Sequence, residues 1–201
     1  PDIADDLWAR LVLGRGFHGD PNAPGGPRDW PPLVYVCHSC FASATLAREL
    51  LAHGADPNAF FVNEYGRMSA LYGAAGVAHD PELTRVLLDA GADPDDGESL
   101  YHATEAESVD CLRLLLEHGA ATRGANALAH ALDGDSLEHV RVLLEAGADP
   151  SEGALVAHAV RRGRGPEFVR LVGRARRRPR SSGRGELARQ RAASDAVPAC
   201  A

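Results

Sequence analysis

Apolar residues recur along this chain at helical spacing, and the helices they predict all end alike. Leu83, Val86, Leu87 and Ala90 make one stripe, Val109, Leu112, Leu115 and Leu116 a second, and Val140, Leu143 and Leu144 a third. Each closes on paired leucines followed within four residues by glycine, as in Leu143-Leu144-Glu145-Ala146-Gly147-Ala148-Asp149-Pro150. Leu87 to Pro94 and Leu50 to Pro57 repeat that pattern, and Leu115-Leu116-Glu117-His118-Gly119-Ala120-Ala121-Thr122 is a degraded copy. Glycine supplies the left-handed residue just past the last helical turn. The proline cannot continue a helix, and it pushes the preceding Asp towards an extended conformation. Asp80 ahead of Pro81-Glu82 is a good helix start, and Ser108 and Asp135 or Ser136 can serve the same role in the next two copies.

The terminal glycines fall at 54, 91, 119 and 147, giving intervals of 37, 28 and 28 residues. Self-similarity at such a period marks a stacked repeat array, in which each unit buries its faces against its neighbours. A second, shorter helix precedes each stripe, over 69–75, 99–103 and 127–131. Together these segments resemble the ankyrin repeat. Its Leu-Leu-x-x-Gly-Ala-Asp motif is matched closely. Its Thr-Pro-Leu-His-x-Ala motif is matched loosely, with Tyr72, Tyr101 or Ala129 at the usual His position. The resemblance covers residues 30–173 and implies an all-α, ankyrin-like helical solenoid of about five repeats. It implies binding as well, because such arrays mostly serve as rigid surfaces for partner proteins.

Residues 1–29 are expected to form a degenerate capping repeat, with a helix over 2–14 and a repeat-ending echo at Gly19-Asp20-Pro21-Asn22. A Pro/Gly-rich loop leads from there into an inner helix at 33–38, whose outer partner spans 45–53. The final unit lies between Gly153 and Val172. Beyond it, 174–201 shows Arg runs without apolar periodicity and is expected to be a disordered tail.

Charge sharpens this division. The net charge of −7 conceals twelve Arg and two Glu in residues 161–191, against nine Arg and 26 acidic residues elsewhere. The array is acidic and the tail basic, and nucleic acid therefore becomes a candidate partner for the tail alone. No apolar run approaches the length of a membrane span, and no signal-peptide pattern opens the chain. The four scattered Cys do not make a disulfide framework, so the expected location is cytoplasmic. The absence of Lys beside 21 Arg points to a GC-rich bacterial genome.

The extra length of the 37-residue interval lies between Asn58 and Ser69, where Phe60, Phe61, Val62, Tyr65 and Met68 cluster. These side chains either fold back over the neighbouring repeat or project as a partner-binding finger. In the 28-residue repeats the corresponding finger must shrink to a tight turn, with Asp95-Asp96 as a solvated turn. His102, His130 and His158 hold equivalent positions, so they should form a column. Adjacent helices are too far apart for a shared zinc ion, and a ladder of hydrogen-bonded histidines is expected.

Cys37-His38-Ser39-Cys40 has C-x-x-C spacing but no second half, so one Cys in the core and one half-exposed is the simpler expectation. No sequence motif for phosphate binding, dinucleotide binding or covalent catalysis is present. The expected function is partner-protein binding through the inner-helix face and the 60–68 loop. The candidate contact residues are Trp30, Tyr35, Phe60, Phe61, Tyr65, Tyr72, Tyr101, His102 and His130, without cofactor or metal. A pocket among the same Trp, Tyr and His side chains that binds a small molecule, or does chemistry on it, is the competing reading.

Overall fold

The computed structural model describes residues 19–39, 42–151 and 154–176. The helix expected over 2–14, Cys40 and nearly all of the expected tail lie outside these residues. Within them the chain forms five helix pairs: α1 (Pro32–His38) with α2 (Ala44–Ala52), α3 (Ala70–Tyr72) with α4 (Pro81–Asp89), α5 (Ser99–His102) with α6 (Asp110–Glu117), α7 (Ala127–Asp133) with α8 (Leu137–Glu145), and α9 (Leu155–Arg161) with α10 (Pro166–Ala175). A π-helical turn over Gly73–Val77 continues α3, and a 3-10 turn over Ala103–Glu105 continues α5. Odd-numbered helices stack on one another as an inner row and even-numbered ones as an outer row.

The outer helices start and stop as their sequences dictate. The Asp80 carboxylate accepts the N–H groups of Glu82 and Leu83 at 2.9 and 3.0 Å, satisfying donors that the first turn leaves orphaned. Ser136, not Asp135, caps α8; Asp135 sits in the left-handed region at φ 60°. Ser108 acts one residue early, its hydroxyl accepting the Asp110 N–H at 3.1 Å.

At the other end, Gly54, Gly91, Gly119 and Gly147 all take φ between 90 and 97°. Each donates its N–H to the second leucine, and the alanine that follows donates to the first. Ala55 reaches Leu50 at 3.0 Å and Ala148 reaches Leu143 at 2.9 Å. This paired closure needs a left-handed residue at the glycine and a small apolar residue after it. It also accounts for the buried Ala55, Ala92, Ala120 and Ala148. Leu50, Leu87, Leu115 and Leu143 are fully buried against the inner row. Each contributes about 1.5–3 kcal/mol by leaving water, and that burial holds together helices too short to persist alone.

The junctions between pairs are tied through the Asp-Pro turns. Asn22 accepts the Asp56 N–H at 2.7 Å and donates to the Gly54 carbonyl at 2.8 Å. Asn58 repeats the arrangement one unit later, with the Asp93 N–H at 2.8 Å and the Gly91 carbonyl at 3.3 Å. Asp95 continues it by accepting the Ala121 N–H at 2.6 Å.

The long interval is a β-hairpin, not an unstructured loop. Strand β1 (Phe60–Asn63) pairs antiparallel with β2 (Gly66–Ser69) in the register Phe60 to Ser69 and Asn63 to Gly66. Gly66 takes φ 124°, and the Asn63 side chain accepts the Tyr65 N–H at 2.8 Å to brace the turn. Asp95-Asp96 departs from its expected role as a solvated turn. Asp96 accepts the Ser99 N–H at 2.8 Å and the Ser99 hydroxyl at 2.5 Å, and it accepts the buried Ser69 hydroxyl as well. It joins the end of the hairpin to the start of α5.

Candidate functional site

The inner row presents a run of aromatic and imidazole rings in direct contact. Phe61 on β1 stacks on Trp30 with ring centroids 4.1 Å apart, and it meets His38 of α1 edge-on at 5.2 Å. His38 contacts Tyr72 at 5.6 Å, and Tyr72 contacts His102 at 5.0 Å. Tyr101, beside His102 on α5, stacks on His130 of α7 at 3.9 Å. The run thus crosses four consecutive inner helices.

Two glycines make the close approach possible. A Cβ on Gly73 would come within 2.6 Å of the His38 ring and 2.9 Å of the Cys37 backbone. One on Gly76 would meet His102 and the Tyr72 ring at 2.7 Å. Gly73 holds the register position that His102 and His130 occupy in later repeats. Where His38 fills the space, the next repeat must be empty there.

Guanidinium groups cover the hairpin end of the run, and carboxylates flank its middle. Arg28 lies over Trp30 at 4.9 Å and Arg67 over Phe60 at 3.7 Å, both cation–π distances. Further along, His102 pairs with Glu98 at 3.3 Å and with Glu105 at 3.1 Å. His130 takes the Thr104 hydroxyl at 2.8 Å and Glu105 at 3.5 Å. His158 pairs with Asp133 at 2.7 Å, and Arg162 shares that carboxylate at 2.6 Å. The three histidines therefore form a ladder, each bonded to groups on its own or the preceding repeat. Among the described residues no cluster of His, Cys, Asp and Glu is arranged to hold a metal ion.

Proton affinities follow these surroundings. Burial pushes the Tyr72 and Tyr101 hydroxyls above their ordinary range, and the negative charges of Glu98 and Glu105 add to the effect on both. Burial lowers His38, partly offset by its hydrogen bond to the Ser69 carbonyl at 2.7 Å. Cys37 is fully buried, and burial raises its thiol far above the range of a reactive thiolate.

The structure separates the nine candidate contact residues into classes. Tyr35 belongs to the core: it is buried, and its hydroxyl accepts the Arg28 N–H at 2.7 Å and donates to the Gly25 carbonyl at 3.0 Å. Phe61 is half-buried beneath Trp30, so it supports the surface more than it offers one. Trp30, Tyr72, Tyr101, His102 and His130 are half-exposed along the run. Phe60 and Tyr65 project from the hairpin at 39 and 79 % exposure, beside Val62 at 70 %. His38, Glu98 and Glu105 belong to this face although sequence reasoning did not select them. The offset of His38 from the other histidines hid it, and the carboxylates lacked a motif.

At the base of the hairpin Asn58, Arg67, Ser69, Asp93, Asp95 and Asp96 line an open cleft of about 300 Å³.

A family model for ankyrin repeats, in three copies, matches residues 71–153. That part of the chain belongs to the ankyrin repeat family. The match begins at Leu71 in α3 and runs past α8, so it takes in Tyr72, Tyr101, His102 and His130. The crystal structure of the human ASB11 ankyrin repeat domain is similar to this array, with a TM-score of 0.67. The two chains are 19 % identical, over 97 % of this chain and 100 % of that one. At this level of identity the likeness establishes the shared ankyrin fold alone. No curated protein matches the sequence. Ankyrin repeats are generally protein–protein interaction modules. No helix of the described array is long and apolar enough to cross a membrane.

Proposed function

We propose that this array binds a partner protein through its inner-helix face together with the outer surface of the hairpin. The observation that carries the reading is the continuity of ring contacts from Phe61 to His130, flanked by the exposed Phe60, Val62 and Tyr65. Contiguous apolar and aromatic surface left in water by an otherwise satisfied fold marks an interaction site. Rigid aromatic side chains are also the usual anchors of such sites. Phe60, Tyr65, Tyr72, Tyr101, His102 and His130 make the contacts, with Trp30 at the rim and Phe61 behind it.

Affinity capture from a lysate with wild type, Phe60→Ala/Tyr65→Ala and the outer-row variant Arg113→Ala/Arg141→Ala tests this. Both variants must first give the same helical circular dichroism as wild type. The expected result is a protein retained by wild type and the outer-row variant and lost by the hairpin variant. Retention by the hairpin variant and loss by the outer-row variant would place binding on the opposite surface and end this reading. A small molecule carried through native mass spectrometry, with no protein captured, would transfer the face to the competing reading.

A further inference from the structure

Among the described residues, no guanidinium pairs with the carboxylates at the middle of the aromatic run. Residues 68–112 contain ten carboxylates and one cation, Arg85. Among the described residues, the guanidinium–ring contacts fall at the hairpin end, on Trp30 and Phe60. The arginine that reaches a carboxylate of the ladder falls at the other end, Arg162 on Asp133. Between these ends Glu98 and Glu105 pair with the imidazoles of His102 and His130, and their side chains are 35 and 43 % exposed. Burial raises the Tyr72 and Tyr101 hydroxyls, and the charges of Glu98 and Glu105 add to that rise on both. Aromatic faces next to unneutralised carboxylates are complementary to guanidinium groups, which stack on rings and pair with carboxylates at once.

The chain itself contains a segment with that chemistry. Residues 177–191 hold six Arg and one Glu and directly follow Arg176, the last described residue after α10. We propose that segment 177–191 docks on the chain's own inner-helix face, its guanidinium groups set between Tyr72, Tyr101 and the carboxylates of Glu98 and Glu105. The reach is sufficient. From the end of α10 the segment crosses to the inner row, about 10 Å, and passes three helix spacings to Tyr72 on α3, about 30 Å, while fifteen extended residues span about 50 Å. This inference rests on the partner-binding reading of the same face and makes the segment an internal competitor that an incoming partner must displace.

Two variants of the full chain test it. Replacing Arg177, Arg178, Arg180 and Arg184 by Ser leaves every described helix intact. In that variant the His102 and His130 imidazole resonances should shift relative to wild type, while that of His53 stays put. In Glu98→Gln/Glu105→Gln, tryptic cleavage within 177–191 should accelerate about three- to tenfold, the loss expected for two exposed charge pairs. The acceleration should vanish near 1 M salt, and Glu145→Gln/Glu167→Gln, which removes charge elsewhere, should leave cleavage at the wild-type rate.

Unmoved resonances together with equal cleavage rates in the two Gln variants would overturn the proposal. Resonance shifts that fade on tenfold dilution would overturn it too, by assigning the contact to a second copy. The partner reading fails separately, since it is decided by capture on Phe60→Ala/Tyr65→Ala.

Discussion

The hairpin repeat and the trimmed repeats enter their inner helices by different routes. Between Asn58 and α3 the chain spends eleven residues, most of them on a two-stranded ribbon with its own turn. Between Asp95 and α5 it spends three, and a single carboxylate does the work of the ribbon by gathering Ser99 and Ser69. The long route creates surface, because alternate residues of a strand face opposite ways. Phe61 turns inward onto Trp30 while Phe60 and Val62 turn outward. The short route creates stiffness, because Asp96 joins two repeats through charge-assisted bonds. Inserted length in this array therefore reads as exposed surface, and deleted length as structure.

Asp96 is where the two routes meet, so its loss has the largest effect. Asp96→Ala leaves the buried Ser69 and Ser99 hydroxyls without their acceptor and should lower stability by about 2–4 kcal/mol. Urea unfolding followed by circular dichroism measures this. A loss below about 1 kcal/mol would mean that the joint is dispensable.

Gly73 tests the hairpin side next. An Ala there gains about 1 kcal/mol of helix propensity but pushes a methyl against the Cys37 backbone, at about 1–3 kcal/mol. The collision wins, and Gly73→Ala should lower the thermal midpoint by a few degrees. Ala at Gly134, whose nearest neighbours stand at 3.7 Å or more, should not lower it.

The third test separates the regions by pH. His38 beside the hairpin and His139 in a trimmed repeat are both held below their ordinary value of 6.5 by burial. Each stays neutral when folded, so the unfolded chain binds protons first as pH falls. Their stabilisation is complete above about pH 6.5 and declines below it through the lowered folded values. Thermal midpoints should be level from pH 8 to 7 and fall below 6.5. Hydrogen exchange at pH 5.5 should show α1 and α8 both loosened, and His38→Gln should relieve the effect at α1 alone. A midpoint that rises on acidification would contradict the assignment.

Much of the fold was legible because its determinants are local. Leucine pairs, the left-handed glycines and the Asp80 cap act within a turn or two of their own positions, and each performs as its sequence implies. The hairpin was legible as a long aromatic insertion, but not as paired strands, since Gly66 and Asn63 carry weaker turn signals than an Asn-Gly pair. The candidate site was read less well. Tyr35 looked like a groove residue because its helical register resembles that of Tyr72. Its hydroxyl is instead consumed by the loop before α1, a contact no periodicity reveals. Asp96 looked like one of two acids in a polar turn, and its partner Ser69 lies 27 residues away. Gly73 has meaning only once His38 is known to sit opposite.

The Asp-Pro turns have a mechanical consequence. Asn22 and Asn58 each both donate and accept across a junction, whereas a carboxylate can only accept, so Asp95 ties its junction once. The tie through these side chains thus drops from two hydrogen bonds at the first and second junctions to one at the third. The later repeats are joined instead by charged side chains, such as His158 and Arg162 on Asp133, so high salt should loosen the C-terminal junctions while leaving the asparagine-tied ones next to the hairpin unchanged.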